Sequence, residues 1–315
     1  MPSVPAPPVT PVRPHVSALP TVLIEGIIRR AIEEDLAAGD ITTEACIEPD
    51  TRAIAFAVAR KEVVVCGGPV FEAVFRMIDP QVEVTSDRAE GTLVPAATKL
   101  WTVRGRARSI LMGERIALNL VQRMSGIATL THAFVRAVPV GCAARITDTR
   151  KTTPGLRLLE RYAVRVGGGK NHRDNLGSGV LIKDNHIVAC GGVGRAVERA
   201  RRLATHTVKI ECEVDSLDQL DEAIAAGADI ILLDNMDDEE VADAVGRARG
   251  RAVLEASGGI TLERVTALAR AGVDAISVGA LTHSAPAADI GLDFSGDPDA
   301  ASEMHNDNSR VSLRA

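Results

Sequence analysis

The sequence predicts an α/β protein in which a small N-terminal α+β domain precedes an α/β barrel, and three observations carry that prediction. Apolar runs of strand length recur through the second half of the chain as ARITDT, VLIKDN, VKIECEV, DIILLDN, AVLEAS and AISVGA. The last four begin near residues 208, 229, 252 and 275, a period of about 22, with helical segments between them. The first hundred residues lack this regularity and show short alternating runs punctuated by Gly and Pro. Apolar strands alternating with helices form a parallel sheet, and repetition of the unit favours a barrel over an open doubly wound sheet. Six runs fall short of the eight strands of a closed (β/α)₈ barrel.

The elements follow in order. Residues 1–20 are Pro-rich without period, and 296–315 are small, polar and non-periodic, so both ends read as disordered. Val22, Leu23, Ile27, Ile28 and Ile32 have helical spacing. AIAFAVAR, EVVVCGG and QVEVTS then read as strands around a helix at 69–78. A long helix from Arg108 to Val138 links the N-terminal domain, 21–130, to the barrel, 131–295. Within the barrel, Ser216 with Gln219 and Asp237 with Glu240 have capping-box spacing, Thr261 opens a third helix, and Gly227, Gly250 and Gly272 close the three.

Composition narrows the function classes. With 315 residues, 46% hydrophobic and 25% charged, the chain is that of a globular protein. No stretch reaches the roughly 18 uninterrupted apolar residues of a membrane span, and the proline-rich start is unlike a signal-peptide core. A cytoplasmic protein without a membrane partner is expected. Cys46, Cys66, Cys142, Cys190 and Cys212 contain no C-x-x-C pair, which points to reduced thiols in small core positions. Aromatic residues make up 2% of the chain, too few to build base-stacking platforms, so nucleic acid is not an expected partner. The net charge of −6 conceals a basic segment from Arg104 to Lys183 with fifteen Lys and Arg against four acids. Such a segment is ordinarily a solvated face, but most of its cations are arginines, whose fork matches carboxylate and phosphate oxygens.

In parallel α/β folds the chemistry lies at the C-terminal ends of the strands. Here those ends are Asp148/Arg150/Lys151, Lys183/Asp184, Glu213/Asp215, Asp234/Asn235, Glu255/Ser257 and Gly279. One polar strand end is only a solvated end; a charged or phosphate-compatible group at nearly every strand describes a rim built for a ligand. Glu213 and Asp234 close adjacent strands and offer the hard oxygens that suit Mg²⁺ with a substrate phosphate; the alternative is pairing with nearby Lys or Arg. The turns SGG (Ser257, Gly258, Gly259) and VGAL (Val278, Gly279, Ala280, Leu281) suit close approach of backbone N–H groups to phosphate. Between 147 and 186, Arg150/Lys151, His172/Arg173 and Lys183, with three consecutive glycines at 167–169, point to a polyanionic ligand.

R-K-T-T-P-G, then G-G-G-x-N-H-R, then K-D-N-H, together with ERIALNLVQRMSGIAT, ECEVDS, ILLDN, EASGGI and VGALTHSAPAADIGLDF, resemble the quinolinate phosphoribosyltransferase family over about residues 25–294. The resemblance implies a sandwich-like α+β domain followed by an incomplete, open α/β barrel of six to seven strands, which accounts for the short strand count. It implies transfer of the 5-phosphoribosyl group of phosphoribosyl pyrophosphate to quinolinate, with loss of CO₂ and with Mg²⁺, giving nicotinate mononucleotide. It assigns Arg150, His172, Arg173 and Lys183 to the quinolinate carboxylates, with Arg115 of a neighbouring subunit closing the pocket in a homodimer or a hexamer of dimers. Lys151, Glu213, Asp234, the SGG turn and Gly279, Ala280 and His283 of the VGAL segment fall on the phosphoribosyl pyrophosphate and Mg²⁺ side. A nicotinate phosphoribosyltransferase, a molybdenum-transport-associated homologue and a catalytically silent metabolite sensor are the competing readings; a single substrate carboxylate would leave this many cations unexplained.

Overall fold

The computed structural model describes residues 16–295. The proposed tail at 296–315 and most of the proposed head lie outside them. The head ends earlier than expected, because Leu19 is already buried in the core, where an apolar side chain beside the first helix gains more than it would in water.

Helices α1 (Thr21–Leu36) and α2 (Ile41–Cys46) lead into β1 (Arg52–Ala59), β2 (Val63–Val64), α3 (Gly68–Ile78), β3 (Glu83–Ser86), β4 (Leu93–Val94) and β5 (Lys99–Arg106). Asp40 caps α2 by accepting the Thr43 amide at 2.9 Å. The 31-residue α4 (Ala107–Ala137) follows. Its apolar face, including Ile110, Ala117, Val121, Met124 and Ile127, is buried, and it packs against both halves of the molecule.

The barrel half runs β6 (Arg145–Thr147), α5 (Arg157–Val166), β7 (Val180–Ile182), α6 (Asp184–Cys190), α7 (Val193–Leu203), β8 (Ile210–Val214), α8 (Leu217–Ala225), β9 (Ile230–Asp234), α9 (Asp238–Ala248), β10 (Val253–Ser257), α10 (Leu262–Ala271), β11 (Ala275–Ser277) and α11 (Ala280–His283), and β12 (Ile290–Ser295) is the last described element. The six-stranded sheet has the order β6-β11-β10-β9-β8-β7, all parallel, and remains open between β6 and β7. A single bridge from Thr147 to Lys170 starts a seventh position beside β6. The incomplete barrel is therefore as expected.

Four expectations change. The last strand, β12, was placed in the barrel but pairs antiparallel with β1, giving the N-terminal sheet the order β12-β1-β5-β3. An isolated apolar strand carries no signal of which sheet it will complete. Ser216 does not cap α8 through its side chain; Gln219 instead accepts the Asp215 amide at 3.2 Å. The Asp237/Glu240 capping box on α9 forms as expected. Of the five cysteines only Cys66 and Cys212 are core residues, and Cys46 is exposed at the end of α2. Gly167 and Gly169 serve close packing on α4, since a Cβ there would stand 2.5 Å from the Ala128 carbonyl oxygen or 2.9 Å from Thr131 Cγ2.

Among the described residues no helix is long and apolar enough to cross a membrane.

Candidate active site

The C-terminal ends of the strands enclose a cavity of about 500 Å³ lined by Arg150, Lys151, His172, Arg173, Lys183, Glu213, Asp234, Ser257, Gly258 and Gly259. Each strand of the open sheet contributes through its end or the loop after it, so residues as far apart in sequence as Thr149 and Ser277 meet at one mouth.

The floor of this cavity is held by buried charge. Asp148, fully buried after β6, accepts the His172 amide at 2.7 Å and the Asn171 side-chain amide at 2.6 Å. Arg161 on α5 pairs with Asp148 at 3.4 Å and donates to the carbonyls of His172 (2.7 Å) and Arg173 (3.2 Å). Burial raises the Asp148 carboxyl above its ordinary value, with the Arg161 charge acting against that rise. A second network joins α4 to α5: the buried Glu160 accepts from Arg123 (2.9 Å) and from the Thr153 amide (3.0 Å), while Arg123 also donates to the carbonyls of Thr282 and Ala285. These arginines hold backbone in place, so the basic segment is only partly a recognition surface. Buried ion pairs of this kind leave a costly lone charge when one partner is removed.

On this floor stand two guanidinium groups. Arg150 and Arg173 each keep a buried Nε–H without an acceptor, although Arg173 also donates to the Gly179 carbonyl at 3.0 Å. Burial, and then the charge of Arg150, pull the Arg173 guanidinium below its usual value. Glu211 offsets that repulsion only in part; unsatisfied buried donors and residual like charge are costly, and a ligand carboxylate lowers both costs at once. His172 accepts the Arg173 amide on Nδ1 (2.7 Å), which leaves its proton on Nε2, 3.2 Å from Glu211. Glu211, which is not among the expected rim residues, is buried beside Glu255 at the bottom of the site.

The opposite side of the cavity is oxygen-rich. Lys183 pairs with Glu213, joining two residues that the resemblance assigned to different substrates. Asp234 accepts the Asn235 side-chain amide at 2.8 Å. Next to it the SGG turn is locked: Asn235 N–H donates to the Ser257 carbonyl at 3.0 Å, and Gly258 has φ +86°, where a Cβ would meet Asn235 Oδ1 at 2.2 Å. Only glycine fits that position.

The remaining expected residues lie at the margin or outside. Gly279 abuts Lys151, since a Cβ on it would stand 3.2 Å from both Lys151 Cδ and His283 Nε2. Thr282 donates to the Lys151 carbonyl at 2.7 Å, tying the segment of Gly279, Ala280 and His283 to the Lys151 loop. Arg115 is exposed on α4 and does not line its own chain's cavity.

An open parallel barrel whose rim joins paired guanidiniums, lysines, two half-buried acids and a glycine turn defines a site for a carboxylated and phosphorylated small molecule. Comparison with known proteins agrees. Residues 127–293 match the C-terminal domain of quinolinate phosphoribosyl transferase and residues 40–125 match its N-terminal domain. The chain is 46% identical over 276 residues to the nicotinate-nucleotide pyrophosphorylase [carboxylating] of Mycobacterium leprae, covering 85% of this chain and 95% of that protein. It is 44% identical over 260 residues to a probable enzyme of the same name from Bacillus subtilis, covering 82% and 89%. The solved nicotinate-nucleotide pyrophosphorylase of Francisella tularensis superposes with a TM-score of 0.84 at 40% identity, covering 89% of this chain and 99% of that one. The chain belongs to the quinolinate phosphoribosyl transferase family.

Proposed function

We infer that the protein transfers the 5-phosphoribosyl group of phosphoribosyl pyrophosphate to quinolinate with decarboxylation, giving nicotinate mononucleotide, pyrophosphate and CO₂ in the synthesis of NAD. The observation that carries this reading is the Arg150 and Arg173 pair with its two unsatisfied Nε–H groups, set opposite Glu213, Asp234 and the SGG turn in one cavity. A diacid fits the first side and a phosphorylated sugar the second.

The side chains bind and orient; none needs to act as a nucleophile. Arg150 and Arg173, with Lys183, fix the pyridine dicarboxylate so that its ring nitrogen faces the sugar. As pyrophosphate leaves, positive charge develops on the ribose, and Glu213 and Asp234 offset it from one side while Lys151 steadies the departing oxygens. Glu213 and Asp234 also suit Mg²⁺, because both are carboxylates facing the cavity and Asp234 accepts a single side-chain amide. When bound there with the ribosyl donor, that ion would neutralise charge on the pyrophosphate. Once the ring nitrogen is ribosylated, the pyridinium withdraws electrons from C2 and the 2-carboxylate can depart.

Arg115 is exposed and outside its own cavity, which supports a role in closing a neighbouring subunit's site in a homodimer or a hexamer of dimers. The unpaired cysteines support a reducing, cytoplasmic setting. Calorimetric titration with quinolinate and with nicotinate tests the substrate. Quinolinate binds at least about tenfold more tightly if both guanidiniums need an acceptor; equal binding, with nicotinate consumed as substrate, overturns the reading.

A further inference from the structure

Glu255 stands where two cavities of the barrel meet, lining both the upper one of about 500 Å³ and a lower one of about 690 Å³. The lower cavity opens among the N-terminal ends of the strands, at Arg145, Lys209, Ile230 and Val253. It therefore reaches the centre of the barrel from the side opposite the substrate mouth. Glu255 is 6% exposed, and its Oε1 has no hydrogen-bond partner; His172 Nε2 is 3.5 Å away and its proton is directed to Glu211.

Of the groups around Glu255, the carboxylates Glu211 and Asp148 favour its neutral form, while His172 and Ser277 act against it. Glu211 faces it from β8, His172 from the loop after α5, Asp148 from the loop after β6 and Ser277 from β11, while Leu232 of β9 lines the upper cavity. Burial first, and then the negative charge of Glu211, push the Glu255 carboxyl up to about 7. An acid of that kind holds a proton near neutral pH and can give it up.

The reaction inferred above requires one. When the bond from C2 to its carboxylate breaks, CO₂ leaves and the electron pair stays on C2 beside the ribosylated nitrogen; the product forms only when C2 gains a proton. We propose that Glu255 is the acid that delivers this proton, and that the lower cavity is the route by which solvent restores it. The Glu255 O–H bond breaks as the C2–H bond forms, and the resulting carboxylate takes one proton from solvent below while substrate fills the upper mouth. This assignment rests on the decarboxylating reaction proposed above.

Single-turnover measurements on the full-length protein separate the two steps. The parent protein must first release both pyrophosphate and CO₂ from quinolinate and the ribosyl donor; release of neither rejects the family reaction itself, and this proposal with it. In Glu255→Gln the neutral amide imitates the protonated acid in shape and charge, so quinolinate affinity and pyrophosphate release stay within about threefold of the parent. CO₂ release falls about a hundredfold and the ribosylated dicarboxylate accumulates in acid-quenched samples. Pyrophosphate and CO₂ falling together, or CO₂ release at the parent rate, overturns the assignment. A second reading needs no variant: the parent's decarboxylation step slows as pH rises from about 6 to about 9, while pyrophosphate release does not follow it. A decarboxylation rate that stays flat across that range overturns the proposal equally.

Discussion

Arg150 and Arg173 share the upper cavity with their like charges only partly offset by Glu211, each holding a buried Nε–H that meets no acceptor. The pair is poised for an anion and is unfavourable without one. Arg150→Gln is therefore expected to leave the melting temperature of the ligand-free protein unchanged or slightly higher. Quinolinate binding weakens by about 2–5 kcal/mol, since a substrate carboxylate is then left without its charged partner. Thermal shift with and without quinolinate, followed by titration calorimetry, measures both.

The Lys183–Glu213 pair is partly exposed at the cavity mouth and contributes little to folding. Glu213→Gln and Asp234→Asn are expected to melt within about 1 kcal/mol of the parent while turnover collapses, and quinolinate still binds through Arg150 and Arg173. The loss is greater for Asp234→Asn, since Glu211 and Asp215 lie close to Glu213 in sequence. Steady-state rates across a Mg²⁺ series, set beside urea unfolding, check the prediction. Asp234→Asn turning over like the parent at low Mg²⁺ removes Asp234 from the site.

The rim was legible in the sequence because Lys183, Glu213, Asp234 and the SGG turn each end an apolar run, and strand ends in a parallel barrel share a mouth. The floor was not. Asp148 reads as one more rim acid, yet it is fully buried and accepts bonds from Asn171 and His172, positions that depend on where α5 packs. A trace of it was present: Glu160 and Arg161 sit amid the apolar residues of LLERYAVRV, where a solvated face would not place them. Likewise β5 and α2 lack isolated apolar runs, and the pairing of β12 with β1 is a tertiary choice that local pattern does not encode.

Stability is expected to depend on pH through Glu255. Its folded value of about 7 lies above the ordinary 4.5, so its contribution is fully present below about pH 4.5 and is lost as pH rises through 7. Asp148 and Glu90, raised chiefly by burial, act in the same direction. Urea midpoints measured from about pH 5 to about pH 8 should fall as pH rises, and less steeply in Glu255→Gln; equal slopes would remove Glu255 as the source.

Shared sites predict complementation. Arg115→Ala and Arg150→Ala chains are each inactive alone, but in a mixed dimer one of the two sites receives an intact Arg115 from one chain and an intact Arg150 from the other. Random mixing of equal amounts should restore about a quarter of the parent activity. Inactive mixtures, with hetero-oligomers verified by mass spectrometry, would reject a site built from two subunits.

The decisive measurement is release of labelled CO₂ from carboxyl-labelled quinolinate, with and without phosphoribosyl pyrophosphate. CO₂ release is expected to require the ribosyl donor, to equal the pyrophosphate formed and to leave nicotinate mononucleotide. Pyrophosphate formed from nicotinate in its place, or no turnover of quinolinate by the folded protein with Mg²⁺ present, would contradict the quinolinate assignment.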